Sequence, residues 1–317
     1  MARKNARFHA DGVMVVDKPA GITSFKALEV VKRKLAPLRI GHTGTLDPFA
    51  EGVLVLLFNQ ATRLADLFGQ GRKVYHALLT LGQKRDTGDH TGQMVAEACV
   101  PELTDGQVSA AMQSLVGRIM QAPPMYSAAK FEGKALYRYA REGIKIAKPP
   151  REVDISSACL LDLQAGRISF ELVCGSGVYV RSWAEDLAAG LGTLGYLSSL
   201  SRERNGPFSR QEALSLDEAM ELDEESLREK VMPCNEALDA LGVPELKVNN
   251  ELGFNLRQGL KLERRLLSGA PVKGPAYMID EDGDIVSVVR FLDMAPAGRD
   301  YETIRVFNKS QTSASGN

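Results

Sequence analysis

Residues 41 to 52 read Gly-His-Thr-Gly-Thr-Leu-Asp-Pro-Phe-Ala-Glu-Gly, a loop in which one carboxylate, Asp47, stands between Leu46 and Pro48. A residue before proline is steered to extended backbone, and Gly41, Gly44 and Gly52 permit close approach or positive φ on either side. The acid is therefore held out from a stiff, apolar frame. A carboxylate so presented can act as a nucleophile and stabilise a charged intermediate without metal or organic cofactor. Desolvation would raise its pKa and neutralise it, so a guanidinium is the natural companion. Arg181 is the candidate, in Gly-Ser-Gly-Val-Tyr-Val-Arg (residues 175–181) between a strand pattern and a helix pattern. Taken singly, an Asp-Pro is more often a turn acid satisfied by its own backbone, and a surface Arg opening a helix contributes little.

Metal and disulfide chemistry find little support. His9, His42, His76 and His90 show no ligand spacing, and Cys99, Cys159, Cys174 and Cys234 lie far apart with no Cys-x-x-Cys pair. Free thiols in a reducing cytoplasm are expected. No apolar run approaches membrane-spanning length, so a soluble cytoplasmic protein is expected. The net charge of -1 conceals a split. Residues 1–150 carry 21 Lys+Arg against 13 Asp+Glu, whereas residues 211–245 carry 2 against 11. A basic front masked by one acidic segment is compatible with nucleic-acid binding, because clustering rather than the sum sets the electrostatic footprint.

The elements that must position Asp47 and Arg181 can be read from periodicity. Gly12 to Val16 is a short buried strand, broken as a loop by Asp17 to Gly21. Thr23 or Ser24 caps a helix with Ala27, Leu28, Val31 and Leu35 inward and Lys26, Lys32, Arg33 and Lys34 mostly outward. Val53–Phe58 and Lys73–Leu81 read as strands, Gln107–Val116 and Lys134–Arg141 as helices, and Val153–Leu163 and Arg167–Cys174 as strands. Tyr179–Ala189 reads as a helix stopped by Gly190. The irregular order predicts an α+β fold with a mixed, largely antiparallel central sheet flanked by helices. Leu216–Ala240 predicts an acidic linker helix or pair. Beyond Val243-Pro244, strand-like pieces at Ala276–Ile279, Ile285–Phe291 and Thr303–Phe307 predict a small β module. The expected division is a catalytic domain at 1–245, including the acidic helical segment 211–245, a β domain at 246–310, and a disordered tail at 311–317.

The loop resembles the catalytic motif of the TruB family of tRNA pseudouridine synthases, with Phe49 and Glu51 departing from the family's Leu and Thr. The similarity runs motif by motif over about residues 10–210 and more loosely to about 308. It implies the pseudouridine synthase fold with a C-terminal PUA-like RNA-binding module, where the residues alone leave a purely structural appendage open as the alternative. It also implies isomerisation of uridine 55 to pseudouridine in the T arm of tRNA, through base flipping and with Asp47 as nucleophile. Attack at C1′, attack at C6 and a glycal route all remain open at this level. Residues 174–181 resemble the family motif that carries the arginine, with Gly175 and Val178 departing. Tyr75 matches the strand tyrosine that stacks on the base and whose hydroxyl can move a proton, and Tyr179 and Leu200 are implied as pocket walls. His42 is implied near the flipped base, Lys18 in the Asp-Lys-Pro loop under the site, and Lys130, in Met-Tyr-Ser-Ala-Ala-Lys, as a phosphate contact. The arginines of Leu197–Arg204 would approach RNA. The segment Leu81–Gly92 echoes a further family motif, with Arg85 in place of the usual Thr.

Five motifs in order imply an enzyme that needs no cofactor or metal, a stand-alone monomer with tRNA as its partner and no obligate protein or membrane partner. The alternative is a non-catalytic RNA-binding or tRNA-chaperone protein on the same scaffold, which would have lost the acid. A guide-RNA-dependent relative is disfavoured by the lack of lysine-rich tails.

Overall fold

The computed structural model describes residues 7–127, 129–144, 146, 148–260, 263, 266–292 and 301–309. Its central sheet is assembled from β1 (Gly12–Lys18), β2 (Glu51–Phe58), β3 (Lys73–Leu81), β4 (Gly117–Gln121), β5 (Arg151–Gln164), β6 (Arg167–Cys174), β7 (Gly195–Asn205) and β8 (Leu214–Ser215). Their spatial order is β8-β1-β2-β7-β3-β6-β5-β4. The β1–β8 and β2–β7 pairs are parallel and the other neighbours antiparallel, the mixed sheet that the sequence predicts. Helix α1 (Ser24–Leu35) seats Ala27, Leu28, Val31 and Leu35 in the core, and Thr23 caps it by accepting from the Lys26 amide. Helix α2 (Asp105–Ser114) opens with a Thr104/Gln107 capping box. Helix α3 (Val180–Gly190) buries Trp183, Ala184 and Leu187, and the Trp183 ring lies 5.1 Å from that of Phe170 on β6.

Several boundaries differ from expectation. β1 runs on through Lys18, because that side chain is buried rather than turned to water. Gly190 is still helical, and the left-handed glycine beyond α3 is Gly192 at φ 77°. Lys134–Ala135 is paired with Lys130–Phe131, and helix begins only at Leu136. The acidic segment forms three short helices, Leu216–Glu221, Glu224–Glu229 and Cys234–Ala240, since Asp223 and Pro233 each start a new one.

At the C-terminal end β9 (Glu245–Lys247), β10 (Gly274–Ile279), β11 (Ile285–Phe291) and β12 (Tyr301–Val306) make a second sheet in that order. Helix α4 (Asn250–Arg257), absent from the sequence reading, packs on it through Leu256. Tyr277, Val288 and Phe307 join the core beside Val13, Val53 and Phe68, so this sheet is packed on the larger one. The expected tail at 311–317 lies outside the described residues.

Candidate active site

Strand register sets the floor of the site. Tyr75 on β3 pairs with Arg202 on β7 and Leu172 on β6, and Arg202 pairs with Gly52 on β2. Gly52 has φ 101°, and a Cβ there would lie 2.3 Å from the Arg202 carbonyl oxygen, so this register tolerates only glycine. Along β3, Lys73, Tyr75, Ala77, Leu79 and Leu81 share the buried face. On β7, Leu200 and Arg202 share theirs.

The Asp47 loop is pinned above this floor from two sides. The Ser24 hydroxyl donates to the Leu46 carbonyl at 3.0 Å and accepts from the Leu46 amide at 2.8 Å. The Arg202 guanidinium, only 1% of the residue exposed, donates to the Val53 and Gly44 carbonyls at 2.7 and 3.1 Å. Arg202, whose motif pointed to an RNA contact, lines the cavity with its guanidinium spent on these backbone carbonyls. It braces the loop and the Tyr75 side chain instead.

Arg181 sits in the first turn of α3, where a cation opposes the helix dipole, and is 3% exposed. Its guanidinium is held by the carbonyls of Thr87 and Tyr126, the latter at 2.8 Å. Its Nε donates to Asp47 Oδ2 at 2.8 Å, and Asp89 lies 3.6 Å from another of its nitrogens. The Asp47 side chain keeps 32% of its surface open to a cavity of about 320 Å³. Burial pushes its carboxyl above the usual carboxylate range, and Arg181 pulls the other way.

The cavity wall brings together Asp47, Arg181, Tyr75, Tyr179 and Leu200. Burial pushes the Tyr75 phenol above its ordinary value, so it is protonated at neutral pH. The backbone of Tyr179 is fixed by Gln121, which accepts from its amide at 2.7 Å and donates to its carbonyl at 3.1 Å. Ser127 also lines the cavity, with a buried hydroxyl that has no hydrogen-bond partner among the described residues. Such a group is open to a ligand's polar atom.

Three expected residues lie elsewhere. His42, on the short strand Ile40–His42, adjoins the cavity-lining Thr43, and burial and Arg202 hold its imidazole below its ordinary pKa. Lys18 is fully enclosed and donates to the Pro19 and Ile22 carbonyls, both at 2.8 Å, so it cannot serve as a direct RNA contact in this conformation. Lys130 is exposed on its hairpin, outside the cavity wall. Arg85, which stands in place of the family's usual Thr, is spent on the Gly92 carbonyl at 2.8 Å and on the Tyr196 ring.

Sequence reasoning gave no role in the site to Lys73, Asp89, Ser24 or Gln121. Lys73 and Arg202 carried a usable signal, a cation in the buried phase of a strand. Lys73 lines the cavity, donates to the Gly69 and Gly71 carbonyls, and is pushed by burial down to about 8.

Residues 32–180 match the TruB family pseudouridylate synthase (N terminal domain). The chain is 34% identical over 283 residues to tRNA pseudouridine synthase B of Methylobacillus flagellatus, covering 89% of this chain and 92% of that protein. The chain belongs to the TruB family. The same-named protein of Syntrophotalea carbinolica is 35% identical, with 96% of this chain and 100% of the relative covered. That of Aromatoleum aromaticum is 39% identical, with 84% and 83% covered. A chain of a solved Cbf5-Nop10-Gar1 complex superposes with TM-score 0.71 over 93% of this chain and 84% of its own. At 21% identity that likeness shows a shared fold. Among the described residues no group of three or more His, Cys, Asp or Glu is arranged to hold a metal, and no helix is long and apolar enough to cross a membrane.

Proposed function

We propose that this TruB-family protein isomerises uridine to pseudouridine in tRNA, acting on uridine 55 of the T arm as a cytoplasmic monomer without a protein partner. Relatives matched over most of their length are named for that enzyme, which supports the tRNA substrate and disfavours a non-catalytic RNA chaperone. The observation that carries the reading is the Asp47–Arg181 pair at 2.8 Å, opening on a cavity walled by Tyr75, Tyr179 and Leu200.

The reaction breaks the N1–C1′ bond, turns the base, forms C5–C1′, removes the C5 proton and leaves a proton on N1, with nothing gained or lost overall. Asp47, ionised and steered by Arg181, is the nucleophile. Tyr75 stacks on the base, and its hydroxyl, fixed by Arg202, is placed to move the proton. Tyr179 and Leu200 close the pocket around a uridine drawn from its stack, which costs a few kcal/mol that only a well-filled pocket can offset. His42 stands at the edge where the displaced base leaves its gap, and Lys130 is offered to phosphate. Residues 1–245 serve as the catalytic domain and 246–310 as a PUA-like accessory domain, a division supported by the separate core of Leu246, Leu256, Met278 and Val286.

Incubating the purified protein with an unmodified tRNA transcript and mapping pseudouridine chemically tests the proposal. Pseudouridine at position 55 is expected. Its absence, with tRNA bound, would overturn the enzyme reading.

A further inference from the structure

The cavity wall that carries Tyr179 is held from outside its own helix. Residues 175–179 join β6 to α3, whose first turn contains Arg181. That helix opens without the usual aids. Tyr179 stands at its N-cap and makes no side-chain capping bond, and the first turn holds no acid. Another device must fix where α3 begins, because a shift there moves Arg181 relative to Asp47.

Two side chains of one strand pair supply it. Arg151 on β5 and Gln121 on β4 are direct register partners, so they project from the same face of the sheet. Gln121, 3% exposed, holds both the amide and the carbonyl of Tyr179. Arg151 donates to the Gly177 carbonyl at 2.9 Å, and its guanidinium carbon lies over the Tyr179 ring, 5.6 Å from the centroid. Further along β5, the Asp154 carbonyl accepts from the Gly175 amide at 2.9 Å. The loop is tied at 175, 177 and 179 in turn.

Gly177 is suited to this contact. It has φ 86°, and a Cβ there would lie 3.1 Å from an Arg151 guanidinium nitrogen, so a side chain would crowd the clamp. Arg151 also lines the cavity and has no carboxylate partner among the described residues. Its planar group is committed to the loop, with an edge on the Gly177 carbonyl and a face on the ring, a pairing that an ammonium cannot reproduce.

We propose that Arg151 is a positioning residue of the isomerisation, which acts through Tyr179 by holding that ring and the start of α3 against the flipped uridine, with Gln121 as its backbone counterpart. The proposal rests on the catalytic reading above. Single-turnover pseudouridine formation at saturating enzyme tests it in Arg151→Met, Arg151→Lys, Tyr179→Leu and the Arg151→Met/Tyr179→Leu pair, with tRNA affinity followed against salt. Arg151 is exposed, so its replacement leaves the core untouched. Arg151→Met should slow the conversion of bound tRNA roughly 10-fold, with affinity and salt slope close to parental. Arg151→Lys keeps the charge but not the fork and should be slowed nearly as much. In the Tyr179→Leu background, Arg151→Met should cost no more than about threefold, because the ring it steadies is gone. A parental rate in Arg151→Met, or additive effects of the two substitutions, would overturn the proposal. A salt slope reduced by about 1 with the rate unchanged and Arg151→Lys parental would make Arg151 a phosphate contact and overturn it equally. A parent that makes no pseudouridine refutes the catalytic reading and the clamp with it, whereas a parent that makes it alongside additive effects refutes only the clamp.

Discussion

Two aspartates in this molecule receive an arginine at 2.8 Å and do opposite things with it. Asp280, in the C-terminal sheet region, is paired with Arg257, and its side chain is 0% exposed. Its Oδ1 accepts from the Asp282 and Asp284 amides at 3.2 and 3.0 Å, while Oδ2 takes the guanidinium. Burial pushes its pKa up, but the Arg257 and Asp284 hydrogen bonds outweigh that and hold the carboxyl below its ordinary range. The Asp47 side chain has the arginine on Oδ2 alone, no other hydrogen bond among the described residues, and about a third of its surface facing a cavity. Its carboxyl lies above the ordinary range. An ion pair thus marks a structural acid when every lone pair is answered, and a reactive one when the arginine is itself clamped by carbonyls and an oxygen is left over.

Exchanging each acid for its amide should separate the two roles. Asp47→Asn is expected to cost a factor on the order of 10^4 or more in turnover, while tRNA affinity changes little, as single-turnover assays and filter binding would show. Asp280→Asn should leave turnover per folded molecule intact and lower unfolding stability by about 3 kcal/mol in urea titration, because a largely buried guanidinium loses its counter-charge. Appreciable pseudouridine formation by Asp47→Asn would remove that residue from the nucleophile role.

The clamp on Arg181 provides the next test. A lysine cannot hold the Thr87 and Tyr126 carbonyls and the carboxylate in one planar fork, so Arg181→Lys should reduce kcat/KM by roughly 10^2. The sign of its pH effect follows from linkage. Asp47 must be ionised to act, so activity falls as pH drops through a pKa already raised above 3.8. Losing the guanidinium raises that pKa further and moves the acid limb of kcat/KM to higher pH. An acid limb that stays in place would show that the limb does not report Asp47.

How far this contrast was legible in the sequence differs by residue. Asp47, Arg181, Tyr75, Tyr179 and Leu200 were singled out because each sits in a long motif, the strand Lys73–Leu81 because it is rich in β-formers, and the strand Arg167–Cys174 because alternation survives in a sheet buried on one face. Arg202 was assigned outward because cations are usually wet, and Lys18 was placed under the site only through its motif. Here backbone carbonyls solvate them internally, an arrangement that periodicity cannot reveal. Asp89 was quoted only as part of a motif, and what makes it part of the site is its approach to a helix more than ninety residues away. Helix α4 was missed because Gly253 and Asn255 weaken the helical signal, while packing against the second sheet restores it.

Tyr75 sharpens the comparison from the side of the substrate, because its ring lines the cavity on which Asp47 opens. Tyr75→Leu keeps the apolar contact and removes both the stacking face and the hydroxyl. Binding should weaken by about 1 to 3 kcal/mol, with turnover of bound tRNA falling further. Loss of binding with normal turnover of the bound fraction would show that the ring only recruits RNA and has no part in the chemistry.

The smallest effect concerns the cations around Asp47. Lys18 is enclosed, and burial lowers its pKa from 10.5 to about 8, despite the attraction of Asp47. A cation whose folded pKa lies below its unfolded value binds fewer protons in the native state between those two values. Stability therefore rises with pH across that window, from about 8 to 10.5. Below about 8 the fold carries the cost of a buried ammonium, and above 10.5 it carries none. Lys18→Met removes the titrating group, so the stability of the parent relative to the variant should climb by an amount on the order of 1 to 3 kcal/mol over the window. Urea titrations of both proteins at several pH values would measure this difference. A flat difference would mean that Lys18 keeps its proton through the window, held by the Pro19 and Ile22 carbonyls, and that Asp47 has a permanent second cation beneath it.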